Sequence, residues 1–280
     1  ARVAAQLTNF TAGELSPRLD GRNDLSKYPA GCKTLENIVI YPHGAAARRP
    51  GTQFISEVKT SSAKTRLIPF EFSTTQTYVL EFGNQYMRVY KDKGRVETSP
   101  GTAFEISTPY LTAELFDIKF AQSADVMYLT HPSHPTKKLS RTGHTAWTLT
   151  TVNFTNGPFL DTNISTTTLQ PSGTSGSVTI TASASTFVST DVDRLVRIGD
   201  GIAKITNFGS ATSVTATTST NFANTNAVTD WSLGAFSNTT GHPSCVTFFE
   251  QRLVFAATLN NPQTIYFSKS GDYENMDANI

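Results

Sequence analysis

Apolar and polar positions alternate with a period of two over short runs through most of the chain, and no window sustains a 3.6-residue or heptad period. Residues 52–58 set Phe54, Ser56 and Val58 against Gln53, Ile55 and Glu57, and residues 66–72 predict a strand interrupted at Pro69, which suits an edge or a bulge. TYVLEF (77–82) and QYMRVY (85–90) flank Gly83-Asn84, a hairpin signal. A turn at 91–94 leads to a third strand from Arg95. Residues 125–130, 137–141 and 146–152 predict further strands, separated by a Pro-rich loop at 131–135 and a turn at Gly143. The stretch 109–122 is the helix-like interruption: Leu111, Leu115 and Ile118 share one face and Thr112 can cap a short helix.

Three strand pairs share one plan, an apolar strand, a turn and a second strand ending in basic or polar residues. They are TYVLEF with YMRVY, DVMYLT with KKLSR, and RLVFAA with TIYFSKS. Repeated antiparallel meanders of this size build propeller blades. Residues 156–240 differ, being rich in Thr and Ser and thin in charge. Strands are nonetheless readable at 177–182, 195–198, 201–207, 213–217 and 230–233, with Asp200-Gly201 as a tight-turn signal. Residues 160–176 read as a mobile linker. The expected fold is mainly β, with antiparallel meanders in a partial propeller-like arrangement and an inserted small β-barrel or sandwich. The expected domains are 1–155 (docking segment plus meanders), 156–240 (the insert) and 241–280 (a return to the meanders).

Residues 9–51 are organised differently. Gly13, Ser16-Pro17, Gly21, Pro29 and Gly31 break any regular element. One helical turn is predicted at 25–28, capped by Asn23 or Asp24, then a strand within 32–41, a turn at Pro42-His43-Gly44, and another turn at Pro50-Gly51. Sequence this specific, without a catalytic constellation, predicts a segment held in a fixed path against neighbouring copies of the chain.

Composition narrows the function. Aromatic and β-branched residues favour strands. Residues 1–150 hold 18 Lys/Arg against 13 Asp/Glu, and residues 151–280 hold 5 against 9. The basic side chains are scattered apart from Arg48-Arg49, which argues against tight DNA binding. Cys32 and Cys245 lie too far apart to suggest a disulfide scaffold and predict two free buried thiols. No apolar run approaches the roughly 20 residues of a membrane span, so no membrane insertion is expected. Residues 1–10 lack a signal-peptide core, and Ala1 predicts a processed or trimmed start.

Candidate chemistry is sparse. His131 and His134 lie in HPSHP, with His144 nearby. Two such histidines can bind a metal, but no Cys, Asp or Glu completes a local set and the prolines explain the loop. Asp191 and Asp193 resemble the start of a calcium loop without its Gly or later ligands, and are expected to be solvated acids at a turn. No GxSxG, Walker-type or GxGxxG motif is present. Neither an enzyme nor a cofactor is expected. Arg48-Arg49-Pro50-Gly51 is the sharpest local feature, since adjacent arginines before a turn can pair with carboxylates of a neighbouring subunit.

NFTAGELSPRLDGR, LSKYPAGCKTLEN and the RRPGTQF turn, together with the late block FFEQRLVFAATLNNPQTIYFSKSGDYENM, resemble the two marker blocks of the tail tubular protein B family, the tail nozzles of short-tailed phages. The blocks cover about 85 residues at opposite ends, and the middle matches only in texture. The resemblance implies a hexameric ring below the tail adaptor, with tail fibres as neighbours and transient contact with DNA in the lumen. It implies location in the virion after assembly in the host cytoplasm. Family members run on past the second block, so either this is an N-terminal part continuing in a longer protein or it is a shortened version without a distal tip or gate. Arg48 and Arg49, followed by Arg18 and Arg22, are the expected subunit or adaptor contacts. The rival readings are another connector or fibre-adaptor protein, and a polysaccharide-binding or -cleaving tail domain with Trp147 and Trp231 as platforms.

Overall fold

The computed structural model describes residues 7–277, and the chain divides into two compact units between Phe54 and Ile55. The first unit has four very short strands. β1 (Gly13–Glu14) pairs in parallel with β2 (Gly31–Cys32), and β3 (Ile38–Ile40) pairs antiparallel with β4 (Ala46–Arg48). Short 3-10 turns occupy Pro17–Leu19, where Pro17 sets φ and Ser16 accepts from the Arg18 N–H, and Tyr28–Ala30. The helical turn expected at 25–28 therefore forms three residues later, beginning at Tyr28 with Pro29 inside it. Pro29 fits there because the first turn of a helix uses no N–H at that position.

The second unit is built from stacked antiparallel sheets. β5 (Arg66–Glu71), β6 (Thr77–Gly83) and β7 (Tyr86–Lys91) form a meander. β8 (Gly94–Arg95) adds to β7, β9 (Glu97–Ser99) pairs with β10 (Thr102–Ala103), and β11 (Glu105–Ser107) returns to β7. Pro69 sits in β5, the edge strand, where its missing N–H breaks no ladder. A second meander runs through β12 (Lys119–Ser123), β13 (Val126–His131), β14 (His134–Gly143) and β15 (Ala146–Thr151).

The inserted sheet follows, with β16 (Leu169–Pro171), β17 (Ser177–Ala182), β18 (Leu195–Ile198), β19 (Gly201–Ser210), β20 (Ser213–Thr220) and β21 (Trp231–Leu233) in the order β16-β17-β20-β19-β18-β21. A bridge between Leu169 and Val228, three residues before β21, brings the two ends together, so the sheet curls into a half barrel. The third meander is β22 (Cys245–Phe249), β23 (Arg252–Ala256) and β24 (Ile265–Phe267). The protein is mainly β, as its alternating pattern predicts.

Alternation places the cores. In β13, Met127 and Leu129 face the first meander, joining Phe70, Tyr78 and Trp147, while Tyr128 between them faces the third, joining Leu253 and Phe255. The middle meander is therefore buried on both sides. In the half barrel, Val178, Ile180 and Ala182 point inward and the intervening Ser177, Thr179 and Thr181 point outward. This accounts for the Thr/Ser texture: β-branched polar residues suit the solvent face of a strand. The neck of the insert is fastened by aromatic rings, with Phe154 5.3 Å from Phe255 and Phe236 5.0 Å from Tyr266, and by a bridge from Thr155 to Asn275.

Several expectations are corrected. No helix forms over 109–122. Leu115 and Ile118 are buried as expected, but Leu111 is exposed. The carbonyls a helix would need are taken by Arg66, whose Nη1 donates to Leu115 O (2.8 Å) and Ile118 O (2.6 Å). The Leu111 N–H goes to Glu114 and the Thr112 N–H to Asn84. Residues 52–58 pair with no strand, and Phe54 is 76 % exposed: alternation without a neighbouring ladder does not make a strand.

Residues 160–176 are tied in rather than a free linker. Asn163 Nδ2 donates to the carbonyls of Ser165, Thr167 and Thr229, Trp231 Nε1 donates to Thr167 O, and Leu169 is buried in β16. Both cysteines are free thiols, yet neither is buried: Cys32 is half-buried and Cys245, opening β22, is exposed.

Asp191 is not a solvated acid. It is 1 % exposed and accepts from Arg194 Nη1 (2.8 Å), Thr239 Oγ1 (2.6 Å) and the Val188 N–H (2.9 Å). Asp193 does face solvent and pairs with Lys204 at 3.1 Å.

Candidate functional site

The first unit is ordered without a core of its own. Among residues 7–54 only Gly44 is buried, and Leu7, Ile38, Val39, Tyr41 and Phe54 are exposed apolar side chains. Hydrogen bonds between distant parts fix its path. The Phe10 N–H donates to Gly44 O, Ala12 to Ala30 O, Leu15 to Cys32 O and Arg49 to Asn37 O, and the Glu14 carboxylate accepts from the Leu35 N–H (2.9 Å). Such bonds contribute about 1 kcal/mol each net. Ordering the backbone costs roughly 1–2 kcal/mol per residue. Hydrogen bonds and partial burial, with no fully buried side chain among the described residues of the segment, hold this path.

Its arginines are distributed rather than clustered. Arg22 forms a bidentate pair with Asp24, Nε to Oδ1 at 2.7 Å and Nη2 to Oδ2 at 2.6 Å. That contact lifts the guanidinium above its ordinary value and holds the Asp24 carboxyl below the usual carboxylate range. Arg49 donates to Asn37 Oδ1 at 2.7 Å. Arg18, on the Pro17–Leu19 turn, and Arg48, in β4, are exposed and form no ion pair among the described residues. Arg48 ends β4 and Arg49 lies just past it, with its side chain turned to Asn37. Arg22 and Arg49 are thus engaged within the chain, while Arg18 and Arg48 are not ion-paired among the described residues.

Neither tryptophan is an exposed platform. Trp147 is 5 % exposed, packs edge-on against Phe70 and Tyr78, and donates Nε1 to His144 O. Trp231 is half-buried in the half barrel. An aromatic cleft exists elsewhere. A cavity of about 870 Å³ lies beside β18 and β24, lined by Phe159, Phe249, Tyr266 and Phe267 with Arg197 and Arg252.

The histidines separate. His144 Nδ1 lies 2.7 Å from the Tyr78 hydroxyl and is used in packing. His131 and His134 face each other across the β13–β14 turn, with ring centroids 5.0 Å apart, and the carboxylate missing from the local sequence arrives from the preceding turn. Glu114 Oε2 is 2.9 Å from His134 Nε2 and also accepts from the Leu111 N–H at 2.8 Å. Burial alone would raise the Glu114 carboxyl, but the Leu111 N–H and the His134 imidazole outweigh it and hold it below the usual range. Burial, reinforced by His134, keeps the His131 imidazole below its ordinary value. The spacing of His131 and His134 was visible in the sequence. Glu114 was not, because the turn that delivers it reads as helix.

Among the described residues no helix is long and apolar enough to cross a membrane. No known family model matches the chain, and no curated protein matches it.

Proposed function

We propose that the chain is a structural building block of a short phage tail, assembling with copies of itself into a ring through which DNA leaves the capsid. The observation that carries this reading is the fixed path of residues 7–54 combined with the absence of buried side chains there. An ordered segment of that kind lowers its free energy by lying on another surface. A homo-oligomer supplies that surface in every copy, with symmetry setting the closure. The three stacked meanders, with the middle one buried on both faces, give a stiff body suited to a propeller-like wall. The two marker blocks resembling tail tubular protein B point to a sixfold nozzle contacting an adaptor ring and tail fibres. The scattered basic residues suit a lumen that DNA passes without being gripped.

The test is particle symmetry. Negative-stain images of the purified protein, or of the tail, are expected to contain sixfold rings with an axial hole. A protein that stays monomeric at high concentration and occurs singly in the virion overturns the reading.

Reversing both arginines (Arg48→Glu, Arg49→Glu) is expected to shift rings to monomers at constant protein concentration, with the circular dichroism of the monomer unchanged. Because Arg49 is already engaged by Asn37, Arg48→Glu alone should reproduce most of the loss. Rings of normal abundance in the double variant would remove these arginines from the interface.

The aromatic cleft supports a second reading, a saccharide-binding tail domain. That reading predicts saturable oligosaccharide binding by calorimetry, lost in Phe249→Ala, since Phe249 lines the cleft and is exposed. Absence of heat with a panel of bacterial surface oligosaccharides dismisses it.

A further inference from the structure

We propose that Glu114, His131 and His134 bind a divalent transition-metal ion of the zinc class, tying the 111–117 turn to the β13–β14 hairpin. One ligand atom from each residue lies within 4.8 Å of the other two. Two imidazole nitrogens and a carboxylate oxygen suit zinc and disfavour calcium or magnesium, which prefer all-oxygen shells. The scaffold is firm. His131 and His134 are register partners at the end of a hairpin whose turn carries Pro132, with Pro135 just after it, and the Leu111 N–H holds the Glu114 carboxylate.

A second, independent observation points to a ligand. His131 is only 3 % exposed, yet its Nε2 has no hydrogen-bond partner among the described residues. Its Nδ1 accepts from the Ser133 N–H at 3.1 Å, so the neutral ring carries its proton on Nε2, facing no acceptor. The hydroxyl of Tyr110, whose ring stacks edge-on to His134 at 5.4 Å, is also buried and unpartnered. Buried polar atoms without partners are uncommon, and two beside a His-His-Glu set mark a place where a bound group belongs.

Coordination through His131 Nε2 moves that ring's proton to Nδ1, which then opposes the Ser133 N–H, so the exposed Ser133 turn must swing away and both N–H groups pass to solvent. His134 likewise needs the lone pair of the ring nitrogen it now turns toward Glu114, so a proton on that nitrogen moves to the other ring nitrogen or leaves to solvent. Ligands on a tetrahedral zinc, with bonds of about 2.0–2.1 Å, lie roughly 3.3 Å apart. The 2.9 Å His134–Glu114 contact must therefore open by a few tenths of an ångström, and a pair standing at the 4.8 Å limit must close by about 1.5 Å to reach that spacing. A water fills the fourth position.

The experiment is a titration of the chelator-stripped full chain with Co²⁺ alone, read by visible absorption, followed by competition with Zn²⁺. The expected result is one equivalent giving the intense bands of tetrahedral cobalt, bleached by zinc. Glu114→Gln, which keeps an acceptor for the Leu111 N–H, and His134→Asn are each expected to weaken binding by more than about 100-fold, since even outer-shell partners of a metal change affinity by 10–100-fold. Circular dichroism verifies that each variant is folded. X-ray absorption of the zinc-loaded wild-type protein gives a readout that needs no variant, and a shell of nitrogen and oxygen is expected. No cobalt bands, equal affinity in folded Glu114→Gln and His134→Asn, or sulfur in the zinc shell each overturn the proposal.

Discussion

Asp191→Ala is expected to destabilise the protein by about 3–5 kcal/mol, the usual cost of removing one partner from a buried ion pair. The carboxylate accepts three hydrogen bonds, and Arg194, itself only 4 % exposed, donates Nη1 to Asp191 and Nε to Gly234 O. Without Asp191 the guanidinium keeps one carbonyl and is otherwise stranded where water does not reach. The same residues connect the Ser189–Asp191 turn to 234–239, where the half barrel returns toward the third meander. The loss should therefore be felt across the insert, not at one loop. Urea unfolding followed by tryptophan fluorescence measures it, with Trp231 reporting from the affected sheet. Two controls separate charge from packing. Asp191→Asn preserves the shape and two acceptor directions and should cost less. Asp191→Leu with Arg194→Met removes both charges and should be milder than Asp191→Ala alone, because no ion is left unpaired. A double replacement as damaging as the single one would mean that the pair matters for its shape rather than its charge.

How far the sequence predicts this structure depends on whether a signal is local. Strands β17 and β18 fall at 177–182 and 195–198 as read, because period-two alternation over a half-buried sheet is written in the residues themselves. The hairpins were legible, but the reasons for their glycines were not. Gly83 lies in β6, pairs with Tyr86, and the loop is Asn84-Gln85, with Gln85 carrying the positive φ of 62°. A Cβ on Gly83 would lie 2.2 Å from the Tyr86 ring, so glycine is there for close approach and not for the turn. Gly201 repeats the lesson: the loop is Gly199-Asp200, and a Cβ on Gly201 would meet the Phe222 Cα at 2.8 Å.

The misread elements share another cause, the capture of local groups by distant ones. Arg66 takes the carbonyls that a helix over 109–122 would use. Arg194 and Thr239 turn Asp191 from a turn acid into a buried node. Glu114 meets His134 only because the second meander folds back on that turn. The arginines of the first unit were visible as residues, but their engagement was not. Asp24 and Asn37 occupy Arg22 and Arg49, while Arg18 and Arg48 form no ion pair among the described residues.

Trp147→Ala should cost a similar 3–5 kcal/mol, near the upper range for truncating a large core side chain, and should lower the melting temperature by on the order of 10 °C in a domain of this size. The indole stands between two meanders, with its ring 4.8 Å from Phe70 and 5.3 Å from Tyr78, both edge-to-face, and its Nε1 donates to His144 O at 2.9 Å. Each aromatic pair adds roughly 0.5–1.5 kcal/mol beyond burial. The space left behind has hydrogen-bonded sheets on either side, and sheets close over a void less readily than a loop does, so the cavity persists. Trp147→Phe keeps the edge-on contact with Phe70 and loses the hydrogen bond and part of the volume, and should fall well below the alanine variant in cost. A double-mutant cycle with Phe70→Leu isolates the ring pair, and a coupling near zero would show that the contact adds nothing beyond area. The same variants bear on function. If these sheets serve as a stiff wall, Trp147→Ala should lower ring yield in parallel with melting temperature and leave any saccharide binding in the Phe249 cleft unaltered. Loss of saccharide binding at unchanged stability would instead make Trp147 a ligand contact.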